Sequence, residues 1–215
     1  MKIGILWDLD GTLLDTLQDL ADGTNYALRH FGYPGRTVEQ VRSFVGNGAG
    51  RLIALAVPEG EAPEPVLQVF QDYYPNHCRI HTKPYDGIGP VLAELGEKHP
   101  MAIVSNKPDP AVKALCQELF PGLYAVGEHP GCPRKPAPDM VYAAMAALGV
   151  DTCIYVGDSE VDVLTAKNAG VPCLSVLWGF RTREEIEKAG GVWFCQAPSD
   201  LPEIIEEMVG SINGQ

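Results

Sequence analysis

Long hydrophobic runs and positive charge are both scarce in this 215-residue sequence. No apolar stretch approaches the roughly 18 residues that a membrane-spanning helix requires, and the start MKIGILWD lacks the features of a signal peptide, so we expect neither. The 16 Lys and Arg residues are outnumbered by 28 Asp and Glu residues, which gives a formal net charge of -12. This charge repels nucleic acids and anionic membranes, so we expect no partner of either kind. An anionic ligand would need a metal ion or a local cluster of basic residues.

Closely spaced cysteine pairs, internal repeats and low-complexity tracts are also missing. The six cysteines form no CxxC pair and lie at positions 78, 116, 132, 153, 173 and 195. Three of them, Cys153, Cys173 and Cys195, fall in segments that we predict to be strands. We therefore expect buried, reduced thiols in a cytoplasmic protein, and neither a zinc site nor a disulfide framework.

What the sequence does contain, from Asp86 onward, is an alternation of short apolar runs and helical periods. Strands are predicted at 101–104, 123–126, 153–156, 173–177 and 192–195, with one more at 3–6. Helices are predicted at about 88–98, 110–119, 138–148, 160–169, 182–189 and 200–209. Short apolar strands separated by helices are typical of a parallel sheet covered on both faces. We predict an α/β fold whose Rossmann-like parallel sheet core comprises residues 1–15 and 85–215.

Residues 16–84 break this alternation and are predicted to form an inserted helical cap domain. The segment TLQDLADGTNYALRHF carries apolar residues at helical spacing, and GRLIALAV and PVLQVFQDYY predict further helices. Thr37 and Gln40 fit a capping box at the start of another short helix. The stretch shows no convincing strand, and the turn-forming TKPYDGI at 82–88 is the expected point of return to the core.

Two of the predicted strands end in aspartates. Asp8 and Asp10 follow the first strand and can share one side of it, because side chains two residues apart in a strand point the same way. Asp158 and Asp162 follow a later strand in the same manner. Sites in open parallel sheets form at the carboxyl ends of the strands, where carboxylates fit a hard cation such as Mg²⁺. Taken alone, Asp158 and Ser159 could merely cap the following helix.

Four stretches carry a resemblance to a known family. They are DLDGT at 8–12, VSN at 104–106, RKPAPD at 134–139 and GDSEVD at 157–162. In this order they resemble the motifs of the haloacid dehalogenase-like hydrolase superfamily, and the resemblance covers essentially the whole chain. Within the superfamily the sequence is most similar to the phosphoglycolate phosphatases, which place a helical cap between the first and second motifs. Trp7 stands where phenylalanine is usual and should alter only packing.

The resemblance implies how the acidic residues would act. Asp8 would attack phosphorus and form an aspartyl phosphate. Asp10 would protonate the leaving group and then activate water. Mg²⁺ would be bound by the Asp8 carboxylate, the Asp10 main-chain carbonyl and Asp158, and would offset charge repulsion by the substrate. Asp162 would orient Lys135 or a metal-bound water in preference to binding the metal, and the sequence leaves a direct contact with the metal open.

The resemblance also implies a set of groups that bind the phosphoryl oxygens. These groups are Thr12, Ser105, Asn106 and Lys135, of which Lys135 would also neutralise Asp8. Lys107 is expected to be a solvated or supporting residue. The segment GFRTREEIEK, at 179–188, is expected to be a solvated helix start.

The glycine-rich stretch VGNGAGR at 45–51 has no predicted strand before it, so we do not expect a dinucleotide site there. One interpretation is a cap loop whose glycine N–H groups and Arg51 meet a substrate carboxylate. In the other, Arg51 is only a solvated helix residue.

These features predict a Mg²⁺-dependent phosphatase acting on a small phosphorylated metabolite, with 2-phosphoglycolate as the first candidate. An inorganic pyrophosphatase or a broad sugar-phosphate phosphatase is the alternative; a phosphomutase or a non-enzymatic binding protein is a weaker one. A dehalogenase is disfavoured, because that branch lacks the second aspartate and Asp10 is present. The sequence leaves the oligomeric state open.

Overall fold

The structure, a computed structural model, describes residues 1–214. The strands in this range are β1 (Ile3–Trp7), β2 (Leu14–Asp15), β3 (Lys83–Pro84), β4 (Met101–Pro108), β5 (Tyr124–Glu128), β6 (Thr152–Gly157), β7 (Cys173–Val176) and β8 (Trp193–Cys195). Six of them form one sheet in the order β5-β4-β1-β6-β7-β8, and all neighbours in it run parallel. The predicted α/β fold with a parallel sheet is therefore confirmed.

The α-helices of this part of the chain have clear local causes. They are α1 (Leu17–His30), α2 (Val38–Phe44), α3 (Gly48–Ala56), α4 (Pro63–Tyr73), α5 (Ile88–Gly96), α6 (Asp109–Leu119), α7 (Asp139–Leu148), α8 (Glu160–Ala169), α9 (Arg183–Lys188) and α10 (Leu201–Asn213). The predicted capping box of α2 is present, because the Gln40 amide donates to Thr37 Oγ1 at 3.2 Å and the Thr37 amide donates to Gln40 Oε1 at 2.9 Å. Gly170 ends α8 with a φ of 72°, a left-handed conformation that glycine adopts without strain.

Both faces of the sheet are buried, as the apolar strands predict. Successive side chains of β1 point to opposite faces, so Ile5 and Trp7 join a core cluster that includes residues of α5 and α10. Leu6, on the other face, packs in a second cluster with Tyr155 and residues of α7. Because helices cover both faces, polar side chains can reach solvent only at the edges of the sheet.

Helices α1–α4 all lie within residues 16–84, the segment that we call the helical insert. Strand β2 ends directly before the insert and β3 forms its last two residues, so the expectation of no strand in this segment is wrong there. The two strands pair antiparallel, with Leu14 opposite Pro84 and Asp15 opposite Lys83. The chain therefore leaves the sheet and returns to it through one short ribbon. No periodicity predicted this ribbon, because strands of two residues are too short to show alternation. The division into a core and a cap domain stays a prediction.

One strand is longer than its apolar run. The run predicted β4 to end at Val104, whereas extended backbone continues to Pro108, and Pro108 pairs with Glu128 after a shift of register. Ser105, Asn106 and Lys107 therefore belong to the strand itself. The following helix, α6, begins at the next residue.

The cysteines are unpaired in the described structure, and four of the six are buried. Cys153, Cys173 and Cys195 lie on β6, β7 and β8, as predicted. Among residues 1–214, no helix has the length and apolarity to cross a membrane.

Candidate active site

The turn after β1 brings two aspartates to the carboxyl edge of the sheet. Asp8 and Asp10 follow the central strand, and Gly11 turns the chain with a φ of 85°. The Gly11 amide donates to the Leu14 carbonyl at 2.9 Å. A Cβ at Gly11 would lie 2.4 Å from Asp158 Oδ2, so only glycine allows this approach. The turn thus packs directly against the second aspartate motif.

Lys135 lies between two buried carboxylates. Its Nζ is 2.8 Å from Asp8 Oδ1 and 2.8 Å from Asp162 Oδ1. Burial raises the pKa of Asp8 to about 7; Lys135 opposes this shift and Asp162 adds to it. Burial alone would lower the pKa of Lys135, but the two carboxylates raise it well above its usual value. Lys135 is therefore a positive charge held beside Asp8. The role in binding a phosphoryl group that the resemblance implies for Lys135 stays a prediction.

Asp162 orients its neighbours and already has partners on both oxygens. Oδ1 accepts from Lys135, and Oδ2 accepts from the Asp158 amide at 3.1 Å, the Ser159 amide at 3.1 Å and Ser159 Oγ at 2.8 Å. Ser159 is the N-cap of α8, so the structure does not support Asp158 as the cap. This arrangement agrees with the positioning role that the resemblance implies for Asp162.

Asp158 is held by Thr12 and by the loop after β7. Thr12 Oγ1 donates to its Oδ1 at 3.2 Å, and the Phe180 amide donates to its Oδ2 at 2.6 Å. A Cβ at Gly179 would lie 2.3 Å from Asp158 Cβ, so backbone encloses this carboxylate closely. Burial, Asp162 and Asp8 raise the pKa of Asp158 well above its usual value. The Thr12 hydroxyl thus contacts Asp158, and its predicted role in binding the phosphoryl group stays a prediction.

The carboxylates form a site that suits a hard cation. Asp8, Asp158 and Asp162 each offer an oxygen, and the three oxygens lie within 4.8 Å of one another. Burial and the neighbouring carboxylates raise the pKa values of Asp8 and Asp158, so a cation bound beside them would stabilise their ionised forms. An oxygen-only donor set fits Mg²⁺ better than a metal that prefers sulfur or imidazole.

Asp10 is paired with Lys107, for which the sequence left a solvated and a supporting role open. Lys107 Nζ donates to Asp10 Oδ1 at 3.0 Å, to Asp10 Oδ2 at 3.2 Å and to the Tyr74 hydroxyl at 2.8 Å. The side chain of Lys107 is only 2% exposed. It is therefore a supporting residue, and the solvated alternative is wrong.

Ser105 and Asn106 lie where the resemblance places them, but their side chains contact protein groups. Ser105 Oγ accepts from the Lys107 amide at 3.2 Å. Asn106 Nδ2 donates to the carbonyls of Gly46 and Lys135, at 3.1 and 3.0 Å, and its Oδ1 accepts from the Lys135 amide at 2.8 Å. Asn106 thus fixes the backbone on which the buried lysine sits.

A cavity opens between this edge of the sheet and the helical insert. It is lined by Asp8, Asp10, Leu20, Val45, Gly46, Gly48, Ala49, Leu52, Phe70, Tyr74, Ser105, Asn106, Lys107, Pro108, Lys135, Asp158, Ser159, Phe180 and Arg181. Six predicted site residues line it: Asp8, Asp10, Ser105, Asn106, Lys135 and Asp158. Thr12 contacts one of them, Asp158, but does not line the cavity itself. The helical insert closes the cavity on the side away from the sheet.

Arg51 and Arg181 differ in their position relative to the cavity. Arg51 is exposed on α3 and does not line the cavity, whereas Arg181 does, with a side chain that is 9% exposed. The interpretation of GFRTREEIEK as a solvated helix start is therefore wrong at Arg181. Its Nε donates to Glu160 at 2.9 Å, and its Nη2 donates to the Val45 carbonyl at 2.6 Å. The one available signal was that the loop after β7 must reach the same edge of the sheet.

The fold and the site define an α/β enzyme with an acidic site at the carboxyl edge of a parallel sheet. The model of the haloacid dehalogenase-like hydrolase family matches residues 5–176, and the chain belongs to this family. The resemblance stated from the four motifs is therefore confirmed.

Relatives and solved structures match over most of their length. A protein of Rhodobacter capsulatus named phosphoglycolate phosphatase is 36% identical over an alignment of 191 residues that covers 84% of this chain and 87% of its own. A Vibrio parahaemolyticus protein of the same name is 32% identical over 216 residues, covering 94% of this chain and 95% of its own. A crystal structure from Lactobacillus delbrueckii subsp. bulgaricus has a TM-score of 0.89 and 37% identity, and covers 95% of this chain and 99% of its own.

Proposed function

We propose that the protein is a Mg²⁺-dependent phosphatase that hydrolyses 2-phosphoglycolate through an aspartyl phosphate. The observation that carries this proposal is the contact of 2.8 Å between Lys135 Nζ and Asp8 Oδ1 in the wall of the cavity. A lysine so placed neutralises the aspartate that must approach an anionic phosphate. Family membership supports a phosphatase, and the names of the relatives support phosphoglycolate as the substrate.

In the proposed reaction Asp8 is the nucleophile, and Asp10 is first the general acid and then the general base. An Asp8 oxygen forms a bond to phosphorus while the bond from phosphorus to the ester oxygen breaks, and Asp10 gives its proton to the departing alkoxide. Water then attacks phosphorus and gives a proton to Asp10, while the bond between phosphorus and the Asp8 oxygen breaks. Phosphate leaves, and Asp8 is again a free carboxylate. Lys135 stays positively charged throughout and stabilises the negative charge of Asp8 and of the phosphoryl group.

The metal would be held by the carboxylates of Asp8 and Asp158 and by the main-chain carbonyl of Asp10. Bound there, Mg²⁺ would supply positive charge that offsets repulsion between the carboxylates and the phosphate. Asp162 would not be a ligand, since Lys135 binds its Oδ1 and three donors already bind its Oδ2. Each oxygen of Asp158 accepts only one hydrogen bond.

The helical insert, residues 16–84, acts in this proposal as a cap on a core of residues 1–15 and 85–215. Substrate selection falls to the cap side of the cavity, because every phosphate monoester presents the same phosphoryl group to the core. Arg51 is exposed outside the cavity. The contact to a substrate carboxylate is therefore proposed for Arg181 and for the backbone of residues 46–49, where Gly46 and Gly48 have φ values of 119° and 78°.

A substrate panel with Mg²⁺ tests the proposal. Phosphoglycolate, pyrophosphate, sugar phosphates, nucleotides and p-nitrophenyl phosphate would be compared by kcat/KM, with and without chelator. We expect phosphoglycolate to rank first, chelator to abolish turnover, added Mg²⁺ to restore it and Ca²⁺ to inhibit, because its looser coordination misplaces the nucleophile. A clear preference for pyrophosphate would refute the substrate, and undiminished turnover without metal would refute the metal dependence.

A further inference from the structure

Lys107 connects Asp10, the proposed acid–base residue of the core, to the helical insert. Lys107 Nζ contacts both oxygens of Asp10 and also the hydroxyl of Tyr74, which follows α4 in the insert. An ammonium group has three donors, and here two are directed to Asp10 and the third to Tyr74. Lys107 and Tyr74 are both buried beside the cavity. The Tyr74 hydroxyl therefore fixes how the ammonium faces the carboxylate.

The position of the Tyr74 ring is set by the insert. The ring stacks on Phe70 of α4, with centroids 4.8 Å apart and planes inclined by 14°. The ring also packs against α1 at Gly23, where a Cβ would lie 2.9 Å from Tyr74 Cδ2. Packing of this kind leaves the ring little freedom to move. The Tyr74 hydroxyl is therefore held in one position beside Lys107.

We infer that Tyr74 is a positioning residue that orients the Asp10 carboxylate through Lys107. The inference rests on the proposed function, because it requires Asp10 to move protons in the reaction. Without the hydroxyl the ammonium loses one of its three acceptors and can turn or shift, and the carboxylate it holds shifts with it. Small errors in the placement of a reacting group are costly, since a displacement of about 1 Å can lower a rate by about 10²-fold.

The effect should be confined to the steps that need Asp10. Tyr74 has no hydrogen bond to Asp8 or Lys135 among the described residues, and those two residues pair with each other at 2.8 Å. Binding of the phosphoryl group and attack on phosphorus should therefore survive the loss of the hydroxyl. Protonation of an alkoxide and activation of water should not.

The test compares Tyr74→Phe with Tyr33→Phe. Tyr33 is also in the insert, but its hydroxyl donates to Glu61 on the exposed surface at 2.7 Å. For 2-phosphoglycolate we expect Tyr74→Phe to lower kcat by about 10- to 10²-fold with KM within about twofold, and Tyr33→Phe to leave both unchanged. With p-nitrophenyl phosphate, whose leaving group needs no proton, Tyr74→Phe should give a fast burst of p-nitrophenol followed by a slow steady state.

A double-mutant cycle shows whether Tyr74 acts through Lys107. In a Lys107→Met background the further change Tyr74→Phe should have less than a twofold effect on kcat, because the lysine that joins Tyr74 to Asp10 is already absent. Additive losses would overturn the inference, as would a rise in KM with unchanged kcat or equal loss in both tyrosine variants. A wild-type protein that hydrolyses no phosphate monoester refutes the proposed function, whereas an active wild type with no selective loss in Tyr74→Phe refutes this inference alone.

Discussion

Arg42 of the helical insert and Arg181 of the loop after β7 hold each other's segments by reciprocal hydrogen bonds to main-chain carbonyls. Arg42 Nε donates to the Phe180 carbonyl at 3.1 Å, while Arg181 donates to the carbonyls of Arg42 and Val45 at 3.1 and 2.6 Å. The Phe180 amide in turn donates to Asp158 Oδ2 at 2.6 Å. The position of the helical insert and the position of Asp158, a proposed metal ligand, therefore both depend on the loop after β7.

This relationship predicts that Arg42→Met impairs catalysis although Arg42 does not line the cavity. Hydrogen bonds to charged groups contribute about 1.5–3 kcal/mol, so kcat/KM should fall by roughly 10- to 150-fold, with weaker Mg²⁺ activation. Steady-state kinetics over a series of Mg²⁺ concentrations measure both effects.

Arg79→Met is the matched control for Arg42→Met. Arg79 also joins the insert to the core, through Glu118 of α6, but this ion pair is exposed. Exposed pairs contribute about 0–1 kcal/mol, so Arg79→Met should keep kcat/KM within about threefold. If both variants lose activity equally, general loosening of the insert explains the effect and the link to Asp158 does not.

Asp8 and Asp10 should respond differently to removal of charge. Asp8→Asn is expected to abolish turnover of every substrate, because an amide is not a competent nucleophile. Asp10→Asn keeps the nucleophile, so we expect a loss of about 10²–10⁴-fold with phosphoglycolate and a milder loss with p-nitrophenyl phosphate. Rates for the two substrates, with Glu184→Gln on the exposed face of α9 as control, measure the difference. An active Asp8→Asn together with an inactive Asp10→Asn would reverse the assigned roles.

The motifs of the candidate site could be recognised because each is short and lies at the end of a strand or just before a helix. Asp8, Asp158 and Lys135 needed only the strand pattern and the resemblance to be placed at one edge of the sheet. Lys107 could not be assigned in this way, since its role depends on Asp10, 97 positions earlier in the chain, and on Tyr74. Burial of a lysine by partners so distant leaves no periodic signal in the sequence.

The two arginines show a second limit of the sequence. Arg51 and Arg181 both stand near glycines, and residue type alone gives no reason to choose between them. The orientation of α3 leaves Arg51 exposed, while Glu160 and two carbonyls draw Arg181 inward. Side-chain direction on a helix follows from its packing against the sheet, and packing of a separate insert is not encoded locally.

The close backbone around Asp158 predicts that Gly179→Ala weakens Mg²⁺ binding. The new Cβ would lie 2.3 Å from Asp158 Cβ, a distance that forces the carboxylate to move. The apparent Mg²⁺ affinity should drop by at least about 10-fold, the range seen when outer contacts of a metal ligand are lost. Gly89→Ala in α5 is the control, because a Cβ there meets no atom within 4 Å. Calorimetric titration with Mg²⁺ measures both variants without relying on activity, and equal affinities would contradict the prediction.

Asp109 provides a test of stability against pH that is separate from the catalytic groups. Burial would raise the pKa of Asp109, but the Lys113 ammonium and the Gly127 amide, which donates at 3.0 Å, outweigh burial and lower it. Gly127 is buried, so Asp109→Ala leaves its amide without this acceptor. We expect the free energy of unfolding to fall by about 1–3 kcal/mol at pH 7, measured by urea titration.

The sign of the pH dependence follows from the lowered pKa of Asp109. A carboxylate whose pKa is lower in the folded state contributes its stability above the unfolded-state pKa of about 3.9 and loses it as the pH falls through the folded-state value. The difference between wild type and Asp109→Ala should therefore be constant from pH 7 to about 5 and should narrow below about 4. Glu184→Ala, on the exposed face of α9, should give no such narrowing. A difference that grows on acidification would mean that the folded state does not favour the ionised form of Asp109.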